Sequence, residues 1–193
     1  MSNAMIKTLL LFTAVLTVIV LSLVFIVGHH DDLQNRIQFS LTDHHGQSVN
    51  GTSFAGKHQL VFFGFTSCDM VCPTQLAKIT DVMKILEEKG KAHRVNPLFI
   101  TVDPERDSPE VIMEYLSHFD QRIVGLTGSR EALESTTDAF KTLLASAPAM
   151  PQTGYQISHS SLVYIVDPFS RVIDYLPFES DTQAMANKLL NYL

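Results

Sequence analysis

Positive charge is scarce in this chain: 14 lysines and arginines face 20 aspartates and glutamates, for a formal net charge of −6 at pH 7. Proteins that hold nucleic acid set clustered cations against phosphates. Nothing here supports such a surface, and proteins or small ions are the expected partners. Repeats and low-complexity tracts are also missing, so neither a solenoid nor a compositionally biased scaffold fits. A length of 193 residues suits one domain with a sizeable core and falls short of two ordinary ones. Cysteine is limited to two residues, both in the stretch "GFTSCDMVCPTQL" from Gly64 to Leu76.

Charge vanishes altogether between Leu9 and Val27, a run of 19 residues broken only by Thr13, Thr17 and Ser22. As a helix this run reaches about 28 Å, near the hydrocarbon thickness of a bilayer. The alternative, a cleavable signal peptide, usually has a shorter apolar region, and no small-x-small cleavage site precedes "VGHHDD". Residues 1–4 read as a cloning scar, 5–28 as an N-terminal membrane anchor and 29–35 as a polar spacer. Residues 36–193 then form the domain. Lys7 lies before the span and Asp31 and Asp32 after it, so the positive-inside rule leaves the amino terminus in the cytoplasm. The expected location is the inner membrane, single-pass, with the C-terminal domain facing the periplasm if the source is a Gram-negative bacterium.

Beyond the spacer, "IQFSLTDHHGQSVN" alternates around a turn at His45 and Gly46 and predicts a hairpin. "HQLVFFGF" and "PLFITVD" predict buried strands, and "RIVGLTG" a short one. Leu76, Ile79, Met83 and Leu86 share one helical face that ends at Gly90. Pro73 suits the first turn of that helix, which puts Cys72 at its N-cap. Ser108 and Pro109 open a helix to about Phe119, and Ser129 to Leu144 is expected to be helical. A loop with Pro148, Pro151 and Gly154 precedes a hairpin of "SLVYIV" and "RVIDYL", and Ser180 to Leu193 closes the chain as a helix. Alternating strands and helices of this kind predict an α/β fold, a central sheet with helices on both faces.

Cys68 and Cys72 admit three uses: a structural disulfide, a redox couple, or a pair of soft metal ligands. Export permits all three, since disulfides persist outside the cytoplasm. So short a loop constrains the unfolded chain little, and a domain of this size needs no staple, which weighs against a structural bond. At a helix amino end Cys72 is expected to have a lowered pKa. Thioredoxin-type oxidoreductases use two intervening residues, whereas Asp69, Met70 and Val71 make three here. A peroxiredoxin reading of "VCPT" fails on Asp69, which stands where such enzymes carry threonine.

Three segments in order, "FGFTSCDMVCP", "TVDPERDSP" and "ISHSSLVYIVDP", resemble the signatures of the Sco/SenC family, membrane-anchored thioredoxin-like copper-binding proteins of cytochrome c oxidase assembly. The resemblance covers essentially the whole exported domain. It implies a thioredoxin-like fold with a central mixed sheet flanked by helices, and a copper site made by Cys68, Cys72 and His159. Thiolates suit Cu(I), and an added imidazole also accommodates Cu(II). The implied task is a copper chaperone's: metallating the dinuclear copper centre of cytochrome c oxidase, with the oxidase's copper-binding subunit or another copper protein as partner. The alternative is a thiol-disulfide oxidoreductase that uses Cys68 and Cys72 to keep the recipient's cysteines reduced. A copper sensor or buffer would bind metal without donating it.

The chain departs from the family where Asp69 occupies the loop's proline position, Met70 its aspartate position, and Ser158 a position that is aspartate in many relatives. Met70 is expected at the exposed tip of the loop, as a docking point or an additional soft contact. Asp103, Arg106 and Asp107 in "DPERD" read either as support and partner recognition or as a solvated turn that caps the next helix. The pairs His29/His30 and His44/His45 read as surface residues, since neither a spacer nor a hairpin tip encloses a metal.

Overall fold

Every residue from His58 to Gly64 is buried, as an unbroken apolar run requires when a strand is covered on both faces. The computed structural model describes residues 3–34, 36–140, 145–150, 154–158 and 162–193. It comprises two units, Met1–Arg36 and Ile37–Leu193. In the second, the expected hairpin is β1 (Ser40–Asp43) and β2 (Ser48–Asn50), turned by Gly46 at φ 79°, where a side chain would be strained. The buried strand is β3 (His58–Gly64), followed by β4 (Val95–Thr101) and β5 (Val124–Thr127). A two-stranded sheet pairs β6 (Ala145–Met150) with β7 (Gly154–Ser158), and β8 (Val163–Val166) turns back through β9 (Val172–Leu176).

The main sheet has seven strands in the order β2-β1-β5-β4-β3-β8-β9. It is mixed, because β3 runs parallel to β4 and antiparallel to β8. Strand alternation sorts its side chains between two cores: Leu60, Phe62 and Phe99 go to one, Val61, Phe63, Leu98 and Ile100 to the other. The first core is covered by helices α2 (Val71–Glu88), α3 (Pro109–Leu116) and α5 (Thr182–Leu190) through Leu76, Ile79, Met83, Leu86, Ile112, Met185 and Leu189. On the second, α4 (Arg130–Ala139) contributes Leu133, and Phe63, Phe140 and Tyr164 meet edge to face. Helices therefore lie on both faces of the mixed sheet, as the alternation of elements predicts.

Helix boundaries follow capping chemistry. Ser108, Ser129 and Asp181 each accept the N–H three residues on. Gly90, at φ 65°, ends α2, with the Gly90 and Lys91 N–H groups donating back to the carbonyls of Glu87 and Leu86. Several expectations shift, and α3 stops at Leu116, short of Phe119. The helix expected to reach Leu144 ends at Ala139 among the described residues, 141–144 lying outside them. The segment expected as a loop forms β6 and β7, with an irregular register between Ala147 and Met150. Pro148 lies in that irregularity: it has no N–H to give a ladder, and the strand accommodates it by breaking step.

In the first unit, α1 (Asn3–Gln34) is one helix of 32 residues. Thr13 and Thr17 donate their hydroxyls to the carbonyls of Leu10 and Ala14, and Ser22 to Val18. Leu10, Phe12, Leu16, Leu21 and Phe25 are exposed. Among the described residues no helix is long and apolar enough to cross a membrane. Within α1 the described side chains run unbroken only from Phe12 to Phe25.

Candidate functional site

β3 ends at Gly64 and delivers the chain, through Phe65, Thr66 and Ser67, to Cys68 at the edge of the first core. The helix behind it starts earlier than the sequence predicts: α2 begins at Val71 with Met70 at its N-cap. Cys72 is thus the second residue of the helix and Pro73 the third, a position a proline tolerates because first-turn N–H groups have no intrahelical partner. Met70 makes no side-chain cap. The sulfur of Cys68 takes that part instead, accepting the Cys72 N–H at 3.5 Å.

The consequence reverses the expected roles of the two thiols. Cys68 is a half-buried thiol and Cys72 a fully buried one. Burial opposes ionisation of Cys68, but hydrogen bonds from the N–H and thiol of Cys72, and from the N–H groups of Met70 and Val71, outweigh it and lower its pKa. Burial pushes the Cys72 thiol far above the ordinary range. The neighbouring Cys68 sulfur and the Asp107 carboxylate add to that shift, against the N–H of Phe65. The helix amino end therefore activates Cys68, not Cys72.

Alkylation of the reduced protein with iodoacetamide is expected to modify Cys68 faster by on the order of 100-fold or more. Its rate should persist below the pH at which an ordinary thiol ionises, and fall as pH drops through the lowered pKa. Mass spectrometry of tryptic fragments reads the order, and preferential labelling of Cys72 would contradict the assignment.

Asp107 is fully buried, not part of a solvated turn. Its carboxylate accepts the Thr66 N–H at 3.1 Å, the Thr66 hydroxyl at 2.6 Å and the Thr101 hydroxyl at 2.5 Å. It thereby clips the cysteine loop to the end of β4. Asp103 is buried too, taking the Arg106 guanidinium as an ion pair while its N–H donates to Thr101 Oγ1 at 3.0 Å. Arg106 lies over the ring of Phe65, 5.9 Å from its centre. "DPERD" is the support of the loop, and Thr66 and Thr101 are its missing half. Only their placement at the exits of two predicted neighbouring strands hinted at it.

Gly64 is required by close approach. A Cβ there would stand 2.8 Å from Phe99 Cε2, 3.0 Å from Cys72 Sγ and 3.1 Å from Phe62 Cε1. Met70 is 73% exposed, the tip position expected of it, and Asp69 is exposed beside it. His44 differs from a plain surface residue: its Nδ1 accepts the Gly125 N–H at 2.9 Å, and burial, then His45, lower its pKa. The side chains of His29 and His30 lie outside the described residues, as does His159. Among the described residues, no three His, Cys, Asp or Glu side chains are grouped to hold a metal ion.

Residues 28–193 match the family model described as SCO1/SenC. A SCO2-like protein of Rickettsia conorii is 34% identical over 166 residues, which span 84% of this chain and 79% of that protein. The solved structure of Bradyrhizobium japonicum ScoI with copper bound is similar at a TM-score of 0.73 and 34% identity, over 82% of this chain and 99% of that one. Yeast Sco1 with copper bound gives a TM-score of 0.75 at 32% identity, over 81% and 87%.

Proposed function

The chain belongs to the SCO1/SenC family, and we propose from that membership that it is a thioredoxin-like copper chaperone, holding Cu(I) and Cu(II) through Cys68, Cys72 and His159. Its recipient is the dinuclear copper centre of cytochrome c oxidase. The observation that carries this reading is the thiol pair at the exit of the central strand, one sulfur ionising readily and half-exposed, the other sealed against the core. Two soft sulfurs fit Cu(I), and a nitrogen donor extends the site to Cu(II). Cys68 ionises the more readily of the two, and both thiols give up their protons on loading. His159 is supported by topology: β8 starts at Val163, paired with Phe62 beside the exit of β3. The intervening residues, fully extended, span at most about 14 Å.

His159→Ala is the test. Cu(II) prefers a tetragonal arrangement with nitrogen among its ligands, while Cu(I) is stable between two thiolates. The variant is expected to lose the thiolate-to-Cu(II) absorption and retain much of its Cu(I) binding in competition against a chelator. An unchanged Cu(II) spectrum would remove His159 from the site.

A second reading is favoured by the asymmetry of the sulfurs. An accessible thiolate beside a buried thiol is the arrangement for reducing a partner's disulfide. Cys68 attacks, and Cys72 resolves the mixed disulfide, leaving Cys68–Cys72 oxidised and the partner's dithiol reduced. It is distinguished by turnover of dithiols without copper, unaffected in His159→Ala.

We also propose that α1 anchors the domain in the inner membrane, with the domain in the periplasm. The reading is supported by an uninterrupted helix over Asn3–Gln34, by hydroxyls folded back onto its carbonyls, and by exposed apolar side chains. Protease added to spheroplasts is expected to digest the domain while it remains with the membrane fraction. A domain protected from that protease would contradict the orientation.

A further inference from the structure

Phe169 has no part in the function described so far. Its ring is 57% exposed, in the turn between β8 and β9. The turn does not let it fold away. The Asp167 carboxylate accepts the N–H groups of Phe169 and Arg171, each at 2.9 Å, and the Arg171 guanidinium at 2.8 Å. Ser170 stands at φ 66°, a conformation uncommon outside glycine. It is held there from two sides: its hydroxyl donates to the Gly51 carbonyl at 3.1 Å, and its carbonyl accepts the Ile37 N–H at 2.7 Å. These bonds fix the backbone that carries the ring, and Val172 and Ile173, next along the chain, are exposed as well.

Two observations say what the ring faces. The first is the tether. Ile37, bonded directly to this turn, is the first residue of the domain, and α1 ends at Gln34. On the anchor reading above, the chain coming from the bilayer enters the domain at this turn. The second is charge. Lys57 and Arg94 precede β3 and β4 where those strands begin side by side, His58 opposite Val95, and β8 ends next to them, Val166 opposite Gln59. Lys57 is exposed and Arg94 half-buried, while the Asp167 carboxylate is buried and paired with Arg171. This end of the sheet thus sets an exposed ring among cations, in a chain whose net charge is −6. Aromatic rings settle at the headgroup level of a membrane, and nearby lysines and arginines are drawn to its anionic lipids. One ring and a few cations bind a membrane weakly from solution, but a short tether makes the contact intramolecular.

We propose that the turn at residues 167–171 is a membrane-contact site, with Phe169 seated in the headgroup layer of an anionic bilayer and Lys57 and Arg94 against its phosphates. The cysteine loop leaves the opposite end of β3, about 20 Å away along a strand of 7 residues. The contact therefore turns the two sulfurs toward the space beyond the membrane. The inference rests on the anchor reading and adds to it an orientation that an anchor alone does not impose.

The chain contains no tryptophan, so Phe169→Trp introduces a lone fluorescent reporter, at an exposed position that tolerates substitution. The full chain carrying it is reconstituted in vesicles of phosphatidylcholine and phosphatidylglycerol, with and without bromine on the acyl chains. The indole should emit at shorter wavelength than in water and be quenched about twofold or more by the brominated lipid. That of Met70→Trp, on the exposed cysteine loop at the other end of β3, should be barely quenched. Adding Lys57→Glu to the Phe169→Trp chain, or using phosphatidylcholine alone, should weaken the quenching. Equal quenching at the two positions would show a domain with no fixed side to the membrane, and an indole at 169 that neither shifts nor quenches would show a turn standing clear of lipid. A shift to shorter wavelength without quenching would place a second copy of the chain over the ring. Each of these three results overturns the proposal. A full chain that alkaline carbonate washes off the vesicles would instead overturn the anchor reading, and this inference with it, before the reporters are compared.

Discussion

Gly64→Ala is expected to destabilise the domain by about 1–3 kcal/mol, the usual cost of forcing a methyl group into a filled interior. It should also expose Cys72. The new Cβ meets Phe99, Phe62 and the Cys72 sulfur, all at about 3 Å, and the two rings belong to neighbouring central strands in register, Phe62 opposite Phe99. Neither ring yields easily, being fully buried. The sulfur, on the first turn of α2, is the partner that moves. Thermal unfolding should report the loss of stability, while alkylation should find Cys72 reactive where the wild type shields it. A variant with wild-type melting and a shielded Cys72 would mean that the strand exit is far more plastic than its packing indicates.

Asp107→Ala is expected to cost about 3 kcal/mol or more, because three donors, the Thr66 N–H and the hydroxyls of Thr66 and Thr101, lose their acceptor in a buried setting. For a domain of this size that corresponds to a fall in Tm of roughly 6–12 °C. Asp107→Asn keeps one acceptor oxygen and leaves the hydroxyls free to reorient, so it should cost less. The loop is released together with the stability: Thr66 is two residues from Cys68, and without its anchor the sulfur loses the geometry in which the Cys72 N–H reaches it. Alkylation of Cys68 should therefore shift toward the pH range of an ordinary thiol. A large drop in Tm with an unshifted pH profile would confine Asp107 to stability alone.

The parts of this architecture that were legible in the sequence are those written in local pattern. "HQLVFFGF" reads as a strand buried on both faces because no polar residue interrupts its apolar centre, and it delivers the cysteines to the sheet's end as expected. Leu76, Ile79, Met83 and Leu86 mark the covered face of α2, and Gly90 marks its end. The beginning of α2 was not legible in the same way. Its N-cap lies at Met70, a residue with no capping chemistry, because a sulfur outside the helix takes the N–H that a polar cap would take. That partner also inverts the assignment of the acidic thiol.

Asp107 illustrates a different obstacle. In sequence it is one of several charges beside a helix start. Its burial arises only when β3 and β4 align Gly64 with Thr101 and bring Thr66 to the carboxylate across 41 positions of chain. Patterns of period two or 3.6 carry no record of such a meeting. The β6 and β7 pairing was hidden for a simpler reason: prolines and a glycine signal a turn, and the strands there keep their pairing only by an irregular register around Pro148.

The unequal exposure of the two sulfurs gives the site a direction. An incoming macromolecule can touch Cys68 and cannot touch Cys72, whose surface is closed by the core. Any exchange with a partner, of an ion or of a sulfur–sulfur bond, is therefore sequential, opening at Cys68 and reaching Cys72 only from within the loop. On the copper reading proposed above, an ion leaving by the same route would part from the inner sulfur first and the outer one last, so a partner would close on it while Cys68 still holds it. On either proposed reading the exchange would be an ordered relay whose sequence is set by which thiol the first turn of a helix covers.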